Sequence, residues 1–472
     1  MHNSTPSLLL HDSQRRSTIP FTPLDPTHVK VYYCGPTVYD LAHIGNLRAM
    51  ITADVLVRLL RHLYPRVTFV RNITDVDDKI ITRAQAQKED ISALTRRTTA
   101  DFHADLDAVG VLPPDIEPRA TDNIAEMQVM IIRLLDNGHA YVAEGHVLFS
   151  VESFPSYGAL SGRNLDELEA GARVEIAPYK KSPGDFVLWK PSAPDQIGWD
   201  SPWGRGRPGW HIECSAMSYR YLGENFDIHG GGSDLMFPHH ENERAQSLCC
   251  FPRSHFANFW IHNALLLVNG EKMSKSLGNF LTIRDVLAQA PPEALRLLLL
   301  STHYRSTLNY THDHLQEARR TLDRFYRALE ATGISSSEAA GISSSPTETK
   351  KSLTTAKIPL NVLNALCHDL NTPEVLTELH KLANQALKGD HQAGLALHYG
   401  AGLMGLLQTS PQKWFCGMVS HENTEIINAL ITERLEARKK RDFARADALR
   451  DQLHTMGILL EDTPTGTTWR RA

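Results

Sequence analysis

The sequence predicts an α/β fold: a parallel sheet with crossover helices, split by an insertion and followed by a helical region. Three observations predict it. Strand-like, helical and strand-like runs succeed one another over residues 28–72. The same alternation resumes near residue 206, after a stretch rich in Pro and Gly. From about residue 291 the pattern turns helical.

In chain order, Val29 to Tyr33 is a short apolar strand, and Gly35-Pro36 makes a turn after it. Leu47, Ile51, Val55 and Leu59 recur every fourth residue, which is one face of a helix. Val67 to Val70 is a second apolar strand. Strand, helix and strand at this spacing imply a parallel pair with a right-handed crossover. Residues 20–112 are therefore read as the first half of a Rossmann-like domain, 113–205 as an inserted region and 206–290 as the second half. That second half holds strand Asn225–Ile228, a Gly230-Gly231-Gly232 loop, a helix from Pro238 and strand Leu265–Val268. Asn269-Gly270 signals a two-residue turn. Residues 291–332 read as a helical stem. Residues 333–351 read as a flexible linker, because Gly-Ile-Ser-Ser-Ser occurs there twice. A helical bundle is expected over 352–420, and helical patterning with a compact tail over 421–472.

The bulk numbers fit a soluble enzyme. The chain has 472 residues, 42% hydrophobic and 22% charged, enough for about three domains. The net charge of -5 supplies no global positive field, so a nucleic-acid partner needs local basic patches. Six cysteines make no disulfide framework and suggest a reducing compartment. No apolar run reaches membrane-spanning length, and Leu8-Leu9-Leu10 is too short for a signal peptide. A cytoplasmic monomer is the expectation.

Four residues suggest a metal. Pro238 fits a first helical turn, which puts His239 and Glu243 at i and i+4 on one face. An imidazole and a carboxylate one turn apart can hold a metal ion, although such a pair is ordinarily a surface pair. Cys34, at the end of the first strand, and Cys214, after Trp210-His211-Ile212-Glu213, look placed to complete the set. Two thiolates, one imidazole and one carboxylate would make a tetrahedral zinc site suited to inspecting a sulfur-bearing substrate.

Two further motifs suggest phosphate chemistry. His43-Ile44-Gly45-Asn46 opens the first helix at the carboxyl edge of the predicted sheet. A helix N-terminus offers free N–H groups to phosphate, and Gly45 permits close approach. Lys272-Met273-Ser274-Lys275-Ser276 follows the Asn269-Gly270 turn and carries two cations able to meet a leaving pyrophosphate. Gly204 to Gly209 fits G-x-G-x-x-G, but no apolar strand precedes it and Pro208-Gly209 continues a helix poorly, so a dinucleotide site is not expected.

The pair His-Ile-Gly-Asn and Lys-Met-Ser-Lys-Ser resembles the two signatures of class I aminoacyl-tRNA synthetases. Residues 33–40, 210–215 and the run around His239 are similar to the cysteinyl-tRNA synthetase pattern in particular. Asn46 stands where the class signature has a second histidine; it can donate a hydrogen bond but cannot be a cation. The resemblance implies ATP-dependent activation of L-cysteine and its transfer to tRNA(Cys). It implies one Zn²⁺ per chain on Cys34, Cys214, His239 and Glu243, which the substrate thiolate joins. It implies Mg-ATP at His43, Gly45, Asn46, Gly230, Gly231, Gly232, Lys272, Met273, Ser274 and Lys275, with His43, Asn46, Lys272 and Lys275 catalytic. It places substrate cysteine among Gly35, Thr74, Trp210, His229 and Asp234. Bland roles stay open for these: Thr74 as a cap, Trp210 as core, His229 and Asp234 as shapers of the glycine loop.

The predicted C-terminal helices carry six basic residues against two acidic ones between Arg434 and Arg445. A solvated helix face and a phosphate-binding surface both fit that charge. Arg438, Lys439, Lys440 and Arg441, with Trp469 and Arg470 in the tail, are the expected tRNA contacts, resembling an anticodon-binding end. A cysteine ligase acting on an amino sugar would share the nucleotide fold and zinc set but lack residues 420–472. A non-catalytic RNA-binding paralogue would not need His43, Lys272 and Lys275.

Overall fold

The computed structural model describes residues 6–163, 177–274, 277–334, 358–416, 421–463 and 466–471. The chain starts with a hairpin of β1 (Leu9–Asp12) and β2 (Ser17–Pro20), which pair antiparallel. Strand β3 (Val29–Tyr33), helix α1 (Ile44–Leu63) and strand β4 (Val67–Arg71) follow, and β3 pairs parallel with β4. Leu47, Ile51, Val55 and Leu59 are all buried. The four-residue spacing thus turns the apolar face of α1 onto the sheet. Helices α2 (Asp78–Gln87) and α3 (Ile91–Ala108) complete this half.

The insertion is a small α/β unit. Helix α4 (Ile124–Asp136) packs with a four-stranded antiparallel sheet of β5 (Ala140–Ala143), β6 (His146–Phe149), β7 (Phe186–Pro191) and β8 (Gly206–Pro208). The G-x-G-x-x-G look-alike therefore runs through an edge strand rather than a strand-to-helix turn. The α/β pattern resumes with α5 (Trp210–Leu222), β9 (Asn225–Gly232), α6 (Glu241–Cys250) and β10 (Phe256–Asn263).

The main sheet has the order β10-β9-β3-β4, with every pair parallel. From β3 the chain moves to one side, and from β9 to the other. The crevice between the carboxyl ends of β3 and β9 is thus the switch point at which open α/β sheets bind ligands. Cys34 lies just there, its N–H donating to the Gly230 carbonyl at 3.2 Å.

Three expectations need correction. The glycines 230–232 are not a loop but the last residues of β9, paired with Ile261–Asn263 of β10. A Cβ on Gly230 would lie 2.0 Å from the Tyr33 ring, and one on Gly231 2.9 Å from the His240 ring. Only glycine lets those rings lie against the strand. Pro238 does not open a regular helix: the Phe237–Pro238 bond is cis, and Met236–His240 forms an irregular turn that leads into α6. The strand expected at Leu265–Val268 exists as β11 (Leu266–Val268) but belongs to a separate sheet. Its partners are β12 (Glu271–Lys272) and β13 (Leu308–Tyr310). The strand beside β9 at the end of the main sheet is instead β10, whose Asn258, His262 and Asn263 hide it from an apolar-run reading. Asn269 and Gly270 have φ of 53° and 84°, as the two-residue turn between β11 and β12 demands.

Helices α7 (Ile283–Leu287), α8 (Pro292–Leu300), α9 (His312–Ala331), α10 (Leu360–Cys367), α11 (Thr372–Ala386), α12 (His391–Leu403) and α13 (Pro411–Cys416) form the helical body. One continuous apolar core runs from Leu8 through the sheet to Leu407, so this body and the nucleotide fold are packed as one. Buried Arg296 of α8 ties them further. Its guanidinium pairs with Asp54 of α1 and donates to the Met404 carbonyl at 2.7 Å. The end unit of α14 (His421–Lys439), α15 (Phe443–Thr455), β14 (Ile458–Thr463) and β15 (Gly466–Arg471) has its own small core of Ile427, Ile431, Leu453 and Ile458. Most of the expected 333–351 linker lies outside the described residues.

Candidate active site

Cys34 follows β3, Cys214 sits in the second turn of α5, and His239 and Glu243 flank the start of α6. All four are buried, and their donor atoms lie within 4.8 Å of one another. The Cys34 and Cys214 sulfurs are 3.8 Å apart, the edge of a tetrahedron around zinc with Zn–S of ~2.3 Å. Glu243 Oε1 lies 3.4 Å from Cys34 Sγ and 3.0 Å from His239 Nε2. The donor set and its spacing fit one tetrahedral zinc ion.

The electrostatics agree. Burial opposes charge on Glu243, but His229 and His239 hold its carboxyl well below the usual range. Burial would raise the Cys214 thiol, yet hydrogen bonding from Cys34 and the proximity of His239 bring it down to about 6. Burial would lower His239, yet Glu243 and Cys214 push it up to about 10. This buried anionic cluster demands a neighbouring positive charge, and a divalent cation would meet that demand while leaving the imidazole lone pair to ligate.

A second layer orients the ligands. His211 Nδ1 lies 2.9 Å from His239 Nδ1, and burial beside that ring pushes His211 down to about 3. His229 Nε2 lies 2.9 Å from Glu243 Oε2, which places His229 behind the carboxylate. Thr74 donates to Glu213 Oε2 at 2.9 Å and accepts from the Asn72 amide at 3.3 Å. Asn72 Oδ1 accepts from Gly35 N at 2.9 Å, and a Cβ on Gly35 would collide with the Asn72 carbonyl at 1.6 Å. Trp210 stacks on His239 with ring centroids 4.1 Å apart. His211, Glu213, Asn72 and His240 escaped the sequence reading. Their neighbours in the motifs were the only signal, since each acts through packing that no spacing rule encodes.

Beside this set opens a cleft of ≈ 380 Å³ lined by Cys34, Gly35, His43, Gly45, Asn46, Trp210, Gly232, Asp234, Lys272 and Met273, among others. It brings the metal set and both signatures to one place. His43 caps α1: its Nδ1 accepts from Asn46 N at 3.1 Å, and Asn46 Oδ1 accepts from His43 N at 3.2 Å. That capping box puts the neutral His43 proton on Nε2. Asn46 is thus a helix-capping residue, a role its amide oxygen performs through the backbone.

The segment after the second signature docks onto the first. Ile44 N donates to the Leu281 carbonyl at 3.2 Å, and Ile283 N to the Ala42 carbonyl at 3.0 Å. Ser274 N donates to Asn279 Oδ1 at 2.8 Å. Lys275 and Ser276 lie outside the described residues. Gly230, Gly231, Thr74 and His229 are buried beneath the cleft rather than lining it.

The end unit presents Arg438, Lys439, Lys440 and Arg441 as an exposed cluster at the turn between α14 and α15. Trp469 in β15 is half-buried against the Ile427–Ile431 core, its Nε1 3.3 Å from Asn428 Oδ1. Arg470 pairs with Leu459 across the β14–β15 hairpin.

Comparisons with known proteins then decide the family. The pattern described as "tRNA synthetases class I (C) catalytic domain" matches residues 20–320, and "Cysteinyl-tRNA ligase anticodon binding domain" matches residues 420–470. A cysteine-tRNA ligase of Gluconobacter oxydans is 62% identical over 98% of this chain and 98% of its own length. The chain belongs to the cysteine-tRNA ligase family. Cysteine-tRNA ligases of Granulibacter bethesdensis and Rhodospirillum rubrum are 59% and 57% identical, each over 99% of this chain and 96% and 100% of their own. A putative arginyl-tRNA synthetase from Campylobacter jejuni shares the fold, with a TM-score of 0.52 at 14% identity over 83% of this chain and 94% of that one. A methionyl-tRNA synthetase from Mycobacterium tuberculosis has a TM-score of 0.52 at 13% identity over 82% and 92%. Among the described residues no helix is long and apolar enough to cross a membrane.

Proposed function

We propose that this chain is a cytoplasmic, monomeric cysteine-tRNA ligase that activates L-cysteine with Mg-ATP and transfers it to tRNA(Cys). One observation carries the reading: a soft donor set of two cysteines, His239 and Glu243 adjoins the cleft that holds both class I signatures. When bound at that set, zinc supplies a soft Lewis acid that accepts a thiolate far better than a hydroxyl. Serine and cysteine differ by one atom, so shape alone discriminates poorly.

The residues divide the work. Gly35, Trp210 and Asp234 line the cleft around the amino acid, with Thr74 and His229 beneath it fixing Glu213 and Glu243. The cysteine carboxylate attacks the α-phosphate, pyrophosphate leaves, and cysteinyl-adenylate forms. His43 offers Nε2–H to a phosphate oxygen at the positive end of α1. Gly45 and Gly232 keep the cleft open to the nucleotide. Lys272 and Lys275 meet the charge that builds on pyrophosphate. A terminal ribose hydroxyl of tRNA then attacks the carbonyl and releases AMP. Arg438, Lys439, Lys440 and Arg441 hold the phosphate backbone near the anticodon, and Trp469 with Arg470 supplies the adjoining edge.

Cysteine-dependent pyrophosphate exchange followed by charging of a tRNA(Cys) transcript tests the proposal. Exchange without charging would leave activation standing and remove the tRNA assignment. No exchange from folded, metal-loaded protein would overturn both.

A further inference from the structure

Behind the Cys34–Cys214–His239–Glu243 set lies a second group of four buried donors. The ligand atoms of Cys34, His229, His240 and Glu243 also lie within 4.8 Å of one another. The two groups share Cys34 and Glu243. The carboxylate of Glu243 is split between them: Oε1 is 3.0 Å from His239 Nε2, and Oε2 is 2.9 Å from His229 Nε2. His240 Nε2 approaches Cys34 Sγ at 3.3 Å. We propose that this inner group is a second metal station, able to hold a divalent cation when Cys214 or His239 cannot ligate. The proposal rests on the reading of the outer set as the zinc site.

His240 is built as a ligand is. A ligating imidazole has its far nitrogen held by a hydrogen-bond partner. His240 Nδ1 lies 2.8 Å from His262 Nε2, and His262 Nδ1 lies 2.8 Å from Ser13 Oγ. The chain ends on a hydroxyl, which donates or accepts with equal ease, so it can run in either direction. Run inward, it presents His240 Nε2–H to Cys34 and supports that sulfur as a thiolate of the outer set. Run outward, it presents the Nε2 lone pair to the space shared by Cys34, His229 and Glu243.

His229 changes tautomer only by leaving a buried Nδ1–H unpaired, a cost that a metal bond at Nε2 has to offset. Its Nδ1 is buried without a hydrogen-bond partner. The contact to Glu243 is thus the one hydrogen bond lost if Nε2 becomes a ligand. The ring itself is fixed by stacking on Trp260, with centroids 4.7 Å apart.

The two stations differ in chemistry. The outer one has two thiolates. The inner one has a single thiolate, two imidazoles and a carboxylate, a harder set that also suits Co²⁺ and Ni²⁺. Neither His229 nor His240 lines the cleft, whereas Cys34 does. Metal at the inner station therefore preserves the site's charge balance and burial but not its ability to select sulfur. Loss of Cys214, by substitution or oxidation, should separate metal retention from cysteine selection.

The full-length chain carrying Cys214→Ser tests this by elemental analysis after zinc loading, and by the absorption spectrum after cobalt loading. His239→Gln is the second variant, since it also removes an outer-only donor. Each should keep about one metal per chain. In Cys214→Ser the thiolate-to-cobalt charge-transfer band should fall to about half, because one thiolate remains, and preference for cysteine over serine should vanish. Adding His240→Gln to either variant should then strip the metal. A folded Cys214→Ser or His239→Gln chain that is metal-free where the native chain is full would overturn the inner station. A native chain that binds no metal would instead overturn the zinc reading on which it rests.

Discussion

His43 performs two jobs that one pair of substitutions separates. Its Nδ1 accepts from Asn46 N at 3.1 Å and so caps α1, and its ring lines the cleft, where we assign Nε2–H to a phosphate oxygen. His43→Ala removes both. Loss of the cap costs about 1 kcal/mol of stability, a typical figure for a helix N-cap. Loss of a preorganised donor to developing charge costs about 2.7–4 kcal/mol in the barrier, on the order of 10²–10³ in rate. His43→Asn supplies a new side-chain oxygen that can accept from Asn46 N, so it should restore most of the stability. It does not restore a donor at the Nε2 position, so the rate should stay low. Denaturant midpoints read the first effect and pyrophosphate exchange the second. Since α1 is buried along most of its length, neither variant should unfold. If His43→Asn recovered exchange together with stability, the cap would be the whole role of His43 and the phosphate assignment would be wrong.

Three other expectations follow from the same structure. Glu293 is partly buried beside Tyr326 and Leu407, and desolvation there pushes its carboxyl up to about 7 despite their hydrogen bonds. A raised acid stabilises the fold below its ordinary value of 4.5, and that stability drains away as pH climbs through 7, by about 3 kcal/mol in all. Glu293→Gln, which mimics the protonated form, should flatten the pH dependence of the denaturation midpoint across that window; an unchanged profile would refute it. Lys275→Ala should slow pyrophosphate exchange on the order of 10²–10³ while leaving cysteine affinity alone, and an equal loss of affinity would make Lys275 a binding residue. Truncation after Cys416 should keep exchange and abolish efficient charging, with undiminished charging as the contrary result. A cut near residue 330 is the wrong test, because helices α10–α12 share the main core.

Much of this site was legible in the sequence because its chemistry lies in contiguous runs. The β3–α1–β4 unit announces itself by apolar runs and a four-residue period, and Cys34, His43 and Gly45 fall at its edges, while Lys272 follows the Asn269-Gly270 turn. The four metal donors were named from residue type, and the fold then gathered them from three separate segments. What stayed hidden depends on tertiary packing. β10 carries polar Asn258, His262 and Asn263 yet pairs with β9 at the end of the main sheet, and its histidine joins a buried chain to His240. The glycines of β9 looked like a loop because glycine weakens strands; here they make room for Tyr33 and His240. Asn46 looked like a phosphate donor, and the geometry also makes it half of a capping box. Pro238 was misplaced in a helix because the irregular turn before α6 has no signal beyond the proline itself.

The central claim is that Cys34, Cys214, His239 and Glu243 choose cysteine through a bound zinc ion. The most direct measurement is amino-acid-dependent pyrophosphate exchange by the full chain, with cysteine and with serine, before and after chelation and again after zinc is restored. Exchange should appear with cysteine, be negligible with serine, vanish on chelation and return with zinc. Exchange that survives complete removal of metal with its preference for cysteine intact would contradict the account.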